Sequence, residues 1–178
     1  MLYGGKKINI QFIETHAHLD MIEREPSEVI DDALRKGVIK IISIGIDLES
    51  SRKNSYYASQ FKNVYTTMGF HPHESKKMND EYFVQLEKLL SIPKNIALGE
   101  IGLDYHYLHS SKEEQKRAFR EQIDLARRYN LPIIVHDRDA HEDTMKILEE
   151  KGKNMKMVLH CFSGDKNMAE WCVQRGYY

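Results

Sequence analysis

The chain has 178 residues, and 26 Lys and Arg against 27 Asp and Glu leave a formal net charge of −1 at pH 7. That length suits one domain with a buried core. The near-zero charge excludes a global basic field, so any polyanion would have to be held by a local metal or arginine cluster. No apolar run reaches the ~18 residues that mark a membrane span, and residues 1–7 lack the long apolar core and small-residue cleavage site of a leader. The two cysteines, Cys161 and Cys172, read as unpaired thiols suited to a reducing, cytoplasmic compartment.

The first apolar run, Ile8–Ile13, reads as a strand leading into Thr15-His16-Ala17-His18. Pro26-Ser27 opens a helix with Val29, Ile30, Ala33 and Leu34 at its apolar positions, and Gly37 falls where a C-terminal glycine cap is expected. Val38–Ile44 is β-branched and bounded by glycines, the pattern of a buried strand. Residues 48–61, polar with scattered aromatics, read as a helix. Val64–Met68 is the third strand and runs into Gly69-Phe70-His71-Pro72-His73. Asn79–Leu90 then places Phe83, Leu86, Leu89 and Leu90 on one helical face.

A fourth strand over Ile96–Leu98 meets Gly99-Glu100-Ile101-Gly102, where the flanking glycines are expected to turn the backbone tightly and aim the carboxylate inward. Ser111 and Glu114 have capping-box spacing. Phe119, Ile123 and Ala126 follow as a helical stripe, with Arg127 and Arg128 in the last turn, where cations suit the helix dipole. Pro132 begins a fifth strand ending at His136. Ala140–Lys151 reads as a helix, Met157–Leu159 as a sixth strand ending at His160, and Lys166–Arg175 as the last helix. Six strands starting near residues 8, 38, 64, 96, 132 and 156, each followed by a helical segment, predict a parallel sheet with outer helices, either barrel or doubly wound. No Gly-x-Gly-x-x-Gly or Walker loop follows a strand, which weakens the nucleotide-binding alternative.

Five of these strand ends carry residue types that bind divalent metal: His16-Ala17-His18, His71-Pro72-His73, Glu100, His136 and His160. His16 and His18, two apart in an extended chain, point to the same face. Alone they are equally an ordinary polar pair, as Glu100 alone is a loop glutamate in water. Together with His136 and His160 they form the convergent set a β/α barrel would gather at one end. A carboxylate can bridge two metals, and imidazole with carboxylate suits Zn or Mn better than Ca.

Thr15-His16-Ala17-His18-Leu19-Asp20, Gly69-Phe70-His71-Pro72-His73, Gly99 to Tyr105, Val135 to Ala140 and His160 to Gly164 resemble the successive signatures of the TatD family of metal-dependent deoxyribonucleases, which belong to the amidohydrolase-like β/α barrels. Gln115 followed by Phe119, and Leu131-Pro132 before the fifth strand, agree with it. The resemblance implies an α/β fold of TIM type, incomplete, with about six β/α units. Residues 1–178 would form a single metal-dependent hydrolase barrel domain whose C-terminal quarter is missing, a whole barrel of this kind taking ~250 residues.

The resemblance also implies two divalent ions, Zn, Mn or Mg. His16 and His18 would hold the first, Glu100 would bridge, and His136 and His160 would hold the second. His71 and Arg138 would contact the substrate phosphate. His73 would orient its loop, and Asp20, Asp104 and Ser163 would shape the surroundings. Asp137, His106, His109 and His141 read as solvated.

The implied activity is cleavage of DNA phosphodiester bonds by metal-activated water. It would be impaired because a late aspartate serving as base has no counterpart here, and loss of such a base costs ~10²–10⁴-fold. The alternatives are a hydrolase of a small ester, amide or lactone and a non-catalytic metal-binding remnant. DNA is the expected partner and no membrane is. Unpaired edges of a six-strand sheet would favour self-association.

Overall fold

The computed structural model describes Leu2–Tyr3, Lys6–Lys7 and residues 10–178. Leu2–Tyr3 and Lys6–Lys7 pair antiparallel as a small separate sheet. The main sheet has six strands: β1 (Phe12–Ala17), β2 (Val38–Ile44), β3 (Val64–Met68), β4 (Asn95–Asp104), β5 (Ile133–Arg138) and β6 (Met157–Leu159). They lie in chain order and every neighbouring pair is parallel. The helices α1 (Pro26–Arg35), α2 (Leu48–Gln60), α3 (Asp80–Leu90), α4 (Lys112–Arg128) and α5 (His141–Lys151) connect them, and α6 (Lys166–Gln174) follows β6.

Local chemistry sets the helix starts. Pro26 opens α1, where its missing N–H costs nothing. Asp47 with Ser50 and Ser111 with Glu114 close capping boxes at α2 and α4, while Asn79 and Asp165 cap α3 and α6 with one side-chain bond each. β4 is buried on both faces, with Leu98, Ile101 and Leu103 fully buried, while β5 buries the face that carries Ile133 and Val135. They pack against Phe119, Ile123 and Ala126 of α4 in the larger of two core clusters. The smaller gathers Leu19, Ile30, Ile41, Ala58 and Val64 around α1, β2 and α2.

The sheet is strongly curled. In a flat sheet the first and sixth strands would lie roughly 24 Å apart. Instead the rings of His16 on β1 and His160 just after β6 stack with centroids 3.5 Å apart. The result is a half-barrel of TIM type: of the barrel and doubly wound sheets that the alternation of elements left open, it is the barrel that the resemblance implied. Beyond β6, the Tyr178 backbone already lies alongside: Leu159 N–H donates to its carbonyl at 2.7 Å, and its own N–H donates to Met157 O at 3.0 Å.

Three boundaries differ from the sequence expectation. The start anticipated at Ile8 lies outside the described residues; Ile10 and Gln11 carry no strand, and β1 begins at Phe12. Glu100 does not sit in a turn after the fourth strand, because β4 runs on through it to Asp104. His136 likewise lies within β5 and not at its end, because the strand runs on to Arg138. Among the described residues, no helix is long and apolar enough to cross a membrane, and both cysteines are free.

Candidate metal centre

Glu100 projects from the middle of β4 and is buried, with 3% of its surface exposed. The glycines beside it let β5 approach. A Cβ on Gly102 would lie 2.0 Å from the His136 carbonyl oxygen, and one on Gly99 would lie 2.8 Å from Ile134, with both residues at positive φ. The glycines therefore serve interstrand packing, which corrects the expected tight turn.

Around this carboxylate the structure assembles imidazoles from β1, β5 and the segments that follow β3 and β6. His16 Nε2 is 3.1 Å from Glu100 Oε2, and His136 Nδ1 is 2.8 Å from Oε1. His71 Nε2 and His160 Nε2 stand 3.7 and 3.8 Å from Oε1. Donor atoms of His16, Glu100 and His160, and of His71, Glu100 and His136, lie within 4.8 Å of one another in each set. The grouping differs from the expected one: His16 faces His160, and His136 faces His71. His18 stands outside both sets. Its Nδ1 is 3.2 Å from the Ile44 carbonyl, so a neutral ring donating there leaves Nε2 with a free lone pair. His18, His71, His73, Glu100, His136 and His160 line a cavity of about 300 Å³ at the C-terminal ends of the strands.

The donor set fits cations on electrostatic grounds. Burial would raise the Glu100 carboxyl, yet hydrogen bonds to His136 and His16 hold it well below the usual carboxylate range. It is thus a buried anion that needs positive charge. His71 does not supply it, because burial pushes that imidazole down to about 3; burial lowers His160 as well. Burial opposes the charge on His136 too, but Glu100 on one nitrogen and Asp104 on the other, at 3.0 Å, raise it above the ordinary histidine value. That carboxylate–imidazole arrangement is the one that orients metal-ligating histidines.

His71 is held differently. As N-cap of a 3₁₀ turn over Pro72–Lys77, it accepts a bond from the His73 N–H on Nδ1 at 3.1 Å. A neutral ring accepting on Nδ1 carries its proton on Nε2, which points into the site toward His136 Nδ1 at 3.3 Å.

Two buried glutamines on α4, two turns apart, clamp the loops. Gln122 accepts from Phe70 N–H at 2.7 Å and donates to Phe70 O at 3.1 Å, fixing the loop before His71. Gln115 does the same for Asp104 N–H and O and also donates to Ser110 O. Their signal in the sequence is a polar residue set within the apolar stripe of an amphipathic helix.

Asp104 is 1% exposed and joins several elements. Its Oδ2 meets His136 Nε2 and lies 3.1 Å from His73 Nε2, while Oδ1 accepts from the N–H groups of His106 and Tyr107. Burial opposes its charge, but these donors hold its carboxyl below the usual value. Arg138 is exposed, with its guanidinium 4.9 Å over the Tyr107 ring. Asp20 accepts from Asn54, and Ser163 donates to the Asp137 carbonyl. Asp137 is not solvated as expected: it is buried, paired with His141 and bonded by Thr144 at 2.8 Å.

A curled parallel β/α sheet with imidazoles gathered around one carboxylate at its C-terminal end defines a metal-site scaffold of the TIM-barrel class. The chain belongs to the TatD family: the family model described as TatD related DNase matches residues 13–178. It is 36% identical over 168 residues to YabD of Bacillus subtilis, named an uncharacterized metal-dependent hydrolase, a match covering 93% of this chain and 66% of the relative. It is also 36% identical over 157 residues to the 3'-5' ssDNA/RNA exonuclease TatD of Cronobacter turicensis, covering 88% of this chain and 60% of that protein. The crystal structure of YJJV, a TatD homolog from Escherichia coli, superposes with a TM-score of 0.86 at 33% identity over 96% of this chain and 67% of that one. The matched region thus spans 60–66% of the length of the two curated relatives.

Proposed function

We propose that this chain is a divalent-metal-dependent hydrolase of DNA phosphodiester bonds, acting on single strands. The observation that carries the reading is Glu100: one buried carboxylate shared by two sets of imidazole donors at the C-terminal end of a parallel barrel sheet. The relatives named as 3'-5' ssDNA/RNA exonucleases support the substrate class.

In this reading His16, His18, Glu100, His136 and His160 would hold two divalent ions, Zn, Mn or Mg. Bound there, the ions would supply Lewis acidity at a phosphoryl oxygen and lower the pKa of a water toward ~7. His71 is assigned to the substrate and not to the metal, because its Nδ1 is occupied by the His73 N–H and its Nε2–H points into the site. Arg138 supplies a guanidinium for phosphate. Asp104 holds the His136 ring by Nε2, with Nδ1 turned to Glu100.

The test is elemental analysis of wild type and Glu100→Ala after supply of Zn or Mn, with cleavage of a single-stranded oligodeoxynucleotide assayed on the same samples. Wild type should hold close to two ions, Glu100→Ala should lose at least one, and cleavage by the variant should fall ~10²-fold or more. Wild type holding no ion would overturn the site. Bound ions with an intact oligonucleotide but turnover of p-nitrophenyl acetate would favour the small-ester alternative.

A further inference from the structure

The loop between β4 and α4 leaves four consecutive residues, 106–109, exposed at the rim of the site. Two of them carry rings that face each other: Tyr107 and His109 lie nearly parallel, 17° between planes and 5.7 Å between centroids. Tyr107 is 53% exposed, a large aromatic surface left in water. The pair is not remote from the chemistry. His73 touches both rings edge-on, at 5.7 and 4.7 Å, and its own ring lies 6.4 Å from that of His136. The Arg138 guanidinium sits 4.9 Å over the Tyr107 ring. Asp104 fixes the arrangement, binding the Tyr107 N–H at 3.1 Å with one oxygen and His136 Nε2 at 3.0 Å with the other.

We propose that Tyr107 and His109 form a stacking platform for a nucleobase of the single-stranded substrate, next to the phosphodiester held at the metal centre. Single-strand binders without sequence readout combine exposed aromatic faces with cationic groups that follow the backbone. Here the aromatic face and the cation are in contact: Arg138 rests on the Tyr107 ring by cation–π attraction and keeps its N–H groups for the phosphate beside the stacked base. Every base has a π-face, so the platform takes purines and pyrimidines alike. With a net charge of −1, the chain has no general field to hold a polyanion, and a stacked base supplies grip where bulk electrostatics does not. This assignment rests on the nucleic-acid reading above; it names a positioning surface, not a group that reacts.

The test uses a short single-stranded oligodeoxynucleotide carrying one 2-aminopurine, whose fluorescence falls when the base stacks. Wild type, Tyr107→Ala and Tyr107→Phe are compared for quenching, binding and cleavage. Wild type is expected to quench the probe. Tyr107→Ala should abolish the quenching and weaken binding about tenfold, in the range for loss of one stacked base, while keeping its metal content and raising KM more than it lowers kcat. Tyr107→Phe, which keeps the ring, should behave as wild type. Full affinity and quenching in Tyr107→Ala would overturn the platform, whatever the cleavage rate. A wild type that quenches the probe but leaves the strand intact would overturn the hydrolytic reading and keep the platform. A wild type that neither binds nor cleaves would overturn both.

Discussion

His71 shows how one backbone contact decides what a side chain can do. The His73 N–H occupies its Nδ1, and burial holds the ring neutral with a pKa of about 3. A histidine in the unfolded chain titrates near ~6.5. As pH falls from there toward the folded value, the unfolded state takes up a proton that the folded state refuses. The His71 contribution to stability is therefore whole above about pH 6.5 and is lost below it, at up to ~1.4 kcal/mol per pH unit. His71→Asn keeps an acceptor for the His73 N–H but cannot titrate. Urea unfolding of the metal-free protein at pH 7 and pH 5 should show a larger loss for wild type than for this variant; equal losses would mean that His71 is not held neutral. The residue type at the strand end was legible in the sequence. The choice of nitrogen was not, because it depends on the 3₁₀ turn after Pro72, which the motif reading did not anticipate.

Among the elements, β4 is the most instructive. Its glycines look like turn makers when read locally, and their actual partner is a strand more than thirty positions on. Gly102 lies opposite His136 in the register, and its missing side chain makes room for the His136 carbonyl. Gly102→Ala should destabilise the fold on the order of 3 kcal/mol, since both the 2.0 Å approach and the φ of 139° oppose a Cβ. It should also lower metal content by displacing His136; a variant with wild-type urea stability and metal content would contradict the close approach. Helix α4 is the reverse case. Its capping box, apolar stripe and basic last turn could be read directly, because those signals lie within a few residues of one another. The Gln122 clamp was hidden, because its partner Phe70 lies 52 positions away in the chain.

At the scale of the whole molecule, the order and type of the elements followed from their periodicities, but the degree of curl did not, since curl is a property of all the strand pairs together. Among the described residues, one edge of the curled sheet is β1, where Phe12 and Ile13 are 53% and 51% exposed. An apolar strand edge with unpaired N–H and C=O groups is a template for another strand. The 178-residue chain should therefore self-associate with rising concentration in sedimentation velocity, and Phe12→Lys with Ile13→Lys should shift it toward monomer. Concentration-independent sedimentation of the wild type as a monomer would rule this out.

His16 and His160 come from the outermost strands of the sheet, yet their rings touch. Their nitrogens meet only once every intervening strand and helix has docked, so no partly folded stretch of chain can present that pair of donors. A cation that required both would be acquired only once these six strands had curled. Its arrival, followed against time after dilution from urea, marks the moment at which the first and last strands find each other.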